Sequence, residues 1–173
     1  MLFNLGLDRS EMMGLGARVG SDVPFFFTGG QAHVSGRGEM VTEVELPADY
    51  HVVLVNPDFE LSTAEGYASL KRDLTIPKNP FNLAAYPRAE KLFGSLHLCG
   101  NDFEEVHLRS YPELGEIRDG LLRSGARLAR MSGSGPTMFG LFSSAPATLK
   151  GEYVEREDWQ IFTVLPVTFA AQV

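Results

Sequence analysis

Two loops combine residue types in an order that could do chemistry. In Gly20-Ser21-Asp22-Val23-Pro24-Phe25-Phe26 a carboxylate follows a helix stop. Pro24 stiffens the chain beyond it and restricts Val23 to extended backbone, which aims Asp22 in a defined direction. The commoner use of an aspartate in this setting is to cap a turn, and spacing alone does not decide between the two. In the second loop, Met131-Ser132-Gly133-Ser134-Gly135-Pro136-Thr137, small residues link two apolar runs. Glycines let backbone amides approach a ligand closely, and successive exposed amides form a nest for anions such as phosphate. A tight strand connection needing glycine for its dihedrals explains the same residues equally well. The loop is not a Walker motif, because no Gly-Lys-Ser/Thr follows. Its glycine spacing, and the strand after it, are also wrong for a dinucleotide fingerprint.

The surrounding elements must position these loops. Ser10 reads as the N-cap of a short helix, with apolar residues at helical spacing and Gly20 as its stop. Phe25–Thr28, Gln31–Ser35, Met40–Leu46 and Tyr50–Asn56 read as strands of a small antiparallel meander, the second and third joined by Gly36-Arg37-Gly38-Glu39. Ser62-Thr63-Ala64-Glu65 resembles a capping box opening a helix through about Lys71. Pro77 to Pro80 breaks the chain. Helical spacing then covers Pro87–Leu98, Asp102–Arg109 and Pro112–Ser124, with Pro87 and Pro112 suited to first turns. Ala126–Met131, Thr137–Phe142 and Trp159–Val167 read as strands. This mixture of helices and antiparallel strands predicts an α+β sandwich.

The chain has 173 residues, 44% of them hydrophobic, enough for one good core and part of a second. A formal net charge of −7 repels phosphodiester backbones and anionic membrane surfaces, so neither nucleic acid nor membrane is an expected partner. No apolar run approaches the about 20 residues of a membrane helix. With Cys99 the single cysteine, no intrachain disulfide forms, and a reducing cytoplasm is the expected compartment. His33, His51, His97 and His107 lack paired ligand spacing, so no protein-held metal is expected. The opening Met1-Leu2-Phe3-Asn4-Leu5 enters a helix-like pattern at once, as though a domain were entered midway.

The ordered series Gly-Ser-Asp-Val-Pro-Phe-Phe, Gly36-Arg37-Gly38-Glu39, Asn101-Asp102-Phe103-Glu104 and Met-Ser-Gly-Ser-Gly-Pro-Thr resembles the 4-diphosphocytidyl-2-C-methyl-D-erythritol kinases, a family of the GHMP type. The resemblance covers the chain up to about Phe142. It implies a GHMP kinase fold fragment, with residues 1–46 the tail of a ribosomal-protein-like N-terminal domain and 47–173 a ferredoxin-like C-terminal domain. The family's active site lies in the cleft between its domains. Its reaction moves a phosphoryl group from ATP, which brings Mg²⁺ with it, to the 2-hydroxyl of a cytidine-diphosphate-linked tetritol in non-mevalonate isoprenoid synthesis. Asp22 matches the catalytic aspartate that orients or deprotonates this hydroxyl. Ser132, Gly133, Ser134, Gly135 and Thr137 match the third motif, against the phosphate region. Thr63 stands where the family has a hydroxyl near substrate, and Tyr67 on the same helical face is the candidate for stacking on cytosine. Tyr67 serves equally as an aromatic packing helix to sheet.

The family's early lysine strand, histidine-bearing substrate loop and Pro-x-x-x-Gly-Leu-Gly-Gly-Gly-Ser-Ser phosphate loop do not occur in this sequence. Gly14-Leu15-Gly16 echoes the last, but sits inside a helical pattern with no serine pair behind it. The expectation is therefore the C-terminal portion of such a kinase, weak or inactive alone, with Phe25, Phe26 and Phe27 exposed and available for self-association. Homoserine or mevalonate-type kinases share a glycine-rich third motif, but Asp22-Val-Pro-Phe-Phe and Asn-Asp-Phe-Glu argue against them. A non-catalytic ferredoxin-like binding or oligomerisation module is the alternative from another class.

Overall fold

The computed structural model describes residues 6–63, 66, 68, 89–97 and 100–166. These fall into two compact units, one of residues 6–48 and the other of the described residues between Asp49 and Pro166.

In the first unit, helix α1 (Arg9–Val19) is capped by Asp8 rather than Ser10. Asp8 alone has an acid three residues on. Its Oδ1 accepts from the Glu11 amide at 2.8 Å, and Glu11 Oε2 accepts from the Asp8 amide at 2.9 Å, closing a capping box. Gly20 ends the helix, its amide donating to Gly16 O at 3.1 Å. Gly16 is buried, and a Cβ there would stand 2.9 Å from the Phe27 ring and 3.0 Å from Val23 Cγ1. This mid-helix glycine serves close packing.

The expected strand at Phe25–Thr28 is instead part of a 3-10 helix over Val23–Phe27. Amides of Phe25 and Thr28 donate to Asp22 O and Phe25 O at 3.2 and 3.0 Å, so the segment satisfies its own backbone and turns Phe27 onto α1. Val23 is consequently helical, not extended. Phe26 is 78% exposed, whereas Phe25 and Phe27 are half-buried.

Strands β1 (Ala32–Ser35) and β2 (Met40–Glu43) form an antiparallel hairpin, with Ser35 opposite Met40. Its turn takes φ values of +70° at Gly36 and +120° at Gly38, a region closed to most side chains. Arg9 pairs with Glu43 at 3.0 Å and ties α1 to the hairpin.

In the second unit, β3 (His51–Asn56) does not continue a meander. It is an inner strand of a four-stranded antiparallel sheet ordered β4-β5-β3-β6, with β4 Leu128–Met131, β5 Met138–Phe142 and β6 Gln160–Val164. Its run Val52-Val53-Leu54-Val55 is apolar on both faces, as an inner strand requires, which hairpin spacing could not reveal. Helices α2 (Ala89–Leu96), α3 (Asp102–Ser110) and α4 (Pro112–Arg123) lie between β3 and β4 in sequence. Register places Val53, Gly140 and Ala129 in one row and Val55, Met138 and Met131 in the next. These rows pack with Leu114, Ile117 and Leu121 of α4, all fully buried, each contributing about 1.5–3 kcal/mol. On the opposite face, Leu128 and Leu141 pack with Phe93 of α2. The result is the expected α+β arrangement.

Thr63, Gly66 and Ala68 are helical, and the Gly66 amide donates to Ser62 O at 2.9 Å, as a helix opening at Ser62 requires. The remainder of that expected helix, the Pro77 to Pro80 break and Cys99 lie outside the described residues. No helix among the described residues is long and apolar enough to cross a membrane.

Candidate functional site

Antiparallel β4 and β5 place Ser132–Thr137 at one end of the sheet. The Ser132 amide donates to Thr137 O at 2.8 Å and the Gly135 amide to Ser132 O at 2.9 Å, closing a compact loop with a cis Gly135–Pro136 peptide. Gly133 and Gly135 have φ of +55° and +83°. Gly135 is required sterically as well, since a Cβ there would stand 2.6 Å from Met131 Sδ and 2.9 Å from Leu61 Cδ1. Around the Gly133 Cα there is open space, and Ser132 and Gly133 are exposed. Among the described residues no hydrogen bond engages the amides of Gly133 and Ser134. The tip therefore offers donors to an incoming anion, which fits a phosphate group.

Among the described residues, side chains from three other segments reach this loop. Thr63 Oγ1 lies 3.2 Å from Ser134 Oγ, which brings together two of the residues singled out in the sequence across 71 positions. Thr137 Oγ1 donates to Asn56 Oδ1 at 3.0 Å. Asn101 Nδ2 donates to Met131 O at 3.0 Å and Gly133 O at 2.8 Å, while its Oδ1 accepts from the Phe103 and Glu104 amides at 3.0 and 3.3 Å. Glu104, 3% exposed, accepts from the Met131 amide at 3.1 Å and faces Arg130 at 3.5 Å. Asn56 went unnoticed in the sequence, for its partner is 81 residues away and nothing local marks it. Asn101 and Glu104 were visible there only as part of a signature.

One turn further along α3, His107 is 5% exposed, and burial holds its pKa below the usual imidazole value. Its Nε2 has no hydrogen-bond partner among the described residues. The imidazole packs near-parallel to Phe103, centroids 6.4 Å apart, consistent with a neutral ring filling core space. Tyr67 lies outside the described residues.

Asp22 belongs to the first unit. It precedes the 3-10 helix, yet its side chain makes no capping hydrogen bond to it, and the residue is exposed. A Cβ on Gly38 would stand 2.7 Å from Asp22 Oδ1 and 3.1 Å from Ser21 O, so the bare hairpin turn makes room for this carboxylate. The carboxylate is therefore not consumed by the turn-capping role. Among the described residues no group of three His, Cys, Asp or Glu side chains could hold a metal ion.

Residues 85–158 match the family model for the GHMP kinases C terminal domain. A 4-diphosphocytidyl-2-C-methyl-D-erythritol kinase of Geobacillus sp. (strain WCH70) is 41% identical over 140 residues, 81% of this chain and 48% of the relative. The enzyme of that name from Syntrophomonas wolfei is 39% identical over 153 residues, 86% of this chain and 53% of the relative. A crystal structure of 4-(cytidine 5'-diphospho)-2C-methyl-D-erythritol kinase matches with a TM-score of 0.58 and 28% identity, covering 81% of this chain and 50% of that one. The chain belongs to the GHMP kinases. The relatives named above are 4-diphosphocytidyl-2-C-methyl-D-erythritol kinases, and the chain spans about half their length.

Proposed function

We propose that this chain supplies the catalytic carboxylate and a phosphate-binding loop of a kinase that phosphorylates the 2-hydroxyl of 4-diphosphocytidyl-2-C-methyl-D-erythritol in isoprenoid synthesis. On this reading residues 1–46 close an N-terminal kinase domain and 47–173 form the C-terminal one. The observation that carries the proposal is the hydrogen-bonded meeting of Thr63 with Ser134, beside amides that no group among the described residues engages. Identity of 41% to a kinase of this name supports the substrate assignment.

Phosphoryl transfer depends on positioning and charge neutralisation more than on covalent chemistry. ATP, arriving with Mg²⁺, supplies the transferable phosphoryl group. Gly133 and Ser134 offer amide donors to a phosphate, and Thr63 contributes a hydroxyl beside them. Asp22 accepts or orients the proton of the attacking hydroxyl, a role worth about 10²–10⁴ in rate. Tyr67 is the proposed platform for cytosine.

Calorimetric titration with the cytidine-diphosphate substrate and separately with Mg-ATP tests this reading, beside an Asp22→Asn control. Binding of either ligand by both proteins, with any transfer lost in the Asp22→Asn protein alone, is the expected result. Binding of neither would favour a non-catalytic module.

A further inference from the structure

The Asn101-Asp102-Phe103-Glu104 segment contacts the 131–137 loop, yet the proposed chemistry gives it no task. We propose that Asn101 and Glu104 are positioning residues that clamp this loop from the first turn of α3, fixing the direction of the Gly133 and Ser134 amides toward phosphate. The inference rests on the phosphate-binding reading of the loop.

The geometry separates two jobs of one side chain. The oxygen of Asn101 caps α3 through the Phe103 and Glu104 amides. Its Nδ2 donates to the carbonyls of Met131 and Gly133, the two points where the chain enters the loop and turns at φ +55°. Among the described residues β4 is an edge strand, so the outward backbone groups of Met131 meet no neighbouring strand there. Asn101 takes its carbonyl and buried Glu104 takes its amide. The two side chains thus fix Met131 on both sides, and Asn101 adds a third point at Gly133. A peptide plane whose carbonyl is held turns its own N–H with it. The Gly133 carbonyl shares its peptide plane with the Ser134 amide, so the Asn101 bond to that carbonyl orients a proposed phosphate donor directly.

Because an acceptor alone suffices for capping, N101D and N101S keep the cap of α3 and lose both Nδ2–H donors to the loop, and the single, shorter-reaching hydroxyl proton of N101S cannot serve both carbonyls. A carboxylate from N101D also faces two carbonyl oxygens it can only repel at neutral pH. Hydrogen exchange in the full 173-residue chain is the first readout. In both variants exchange of the Ser132 and Gly135 amides should rise about tenfold, equivalent to about 1.4 kcal/mol, while α3 and α4 amides keep their protection. Affinity for Mg-ADP and for inorganic pyrophosphate should fall about tenfold in parallel. E104Q, which keeps an acceptor for the Met131 amide, should retain loop protection that E104A loses.

Unchanged exchange in the loop of N101S, with α3 intact, overturns the clamp. Faster exchange with wild-type affinity overturns its link to phosphate. If wild-type protein binds neither probe, the phosphate reading of the loop fails and takes this link with it, while exchange in N101S still decides the clamp. Global loss of protection in N101D with wild-type behaviour of N101S would also count against it, since the latter removes the same two donors.

Discussion

Asp22 has a glycine for a neighbour, and that proximity has measurable consequences. Gly38 sits at φ +120° with no room for a Cβ beside Asp22 Oδ1. Gly38→Ala should therefore destabilise the chain by about 1–3 kcal/mol through backbone strain and collision. Part of that cost should vanish in an Asp22→Ala background, giving a coupling of at least about 0.5 kcal/mol in a urea-denaturation double-mutant cycle. Additive effects would mean that the turn does not sense the carboxylate. His107 yields a second residue-level expectation. Burial lowers its folded pKa below the unfolded value of about 6.5. The unfolded chain then binds a proton the folded chain refuses, so its contribution to stability is complete above about pH 6.5 and declines as pH falls toward the folded pKa. His107→Phe should flatten the acid limb of stability between pH 7.5 and 5.5 relative to wild type, and an unaltered slope would deny the imidazole this role. Thr63 and Ser134 were both legible in the sequence, though their hydrogen bond was not, because tertiary contact leaves no local trace. Asp22 was legible as an aspartate in a directed loop, but Val23 enters a 3-10 helix there, the self-satisfied backbone overriding the preference imposed by Pro24.

At the scale of elements, glycines govern how helices approach their neighbours. Gly16 admits Phe27 and Val23 against α1, and Gly120 of α4 admits the ring of Tyr153, which is 1% exposed. Gly16→Ala and Gly120→Ala should each cost about 1–3 kcal/mol by overpacking, despite alanine's better helix propensity. Stabilisation in thermal unfolding would contradict these contacts. Helical spacing and proline placement located α3 and α4 almost to their ends, since both have a strong cap or Pro at the first turn. Three aromatic residues in a row suggested a strand at Phe25–Thr28, but a run without alternation carries no information on period. Likewise Val52–Val55 reads as a strand from composition, while its partners β5 and β6 lie more than 80 residues downstream, beyond any local signal.

For the whole molecule, the net charge of −7 means that a phosphate ligand approaches against the summed field, so binding has to come from local donors such as the loop amides. Phe26 and Val19, 78% and 83% exposed, are the apolar groups most available for self-association among the described residues of the first unit. Sedimentation should find less association in Phe26→Ser than in wild type; equal association would exclude that surface. The central claim, that the loop at 132–137 and Thr63 together hold a phosphate group, is tested most directly by amide NMR of the ¹⁵N-labelled chain during titration with the cytidine-diphosphate substrate and, separately, Mg-ATP. The account predicts saturable shifts at Thr63, Gly133 and Ser134 with at least one of the two ligands, whereas binding that leaves those three amides unmoved would contradict it.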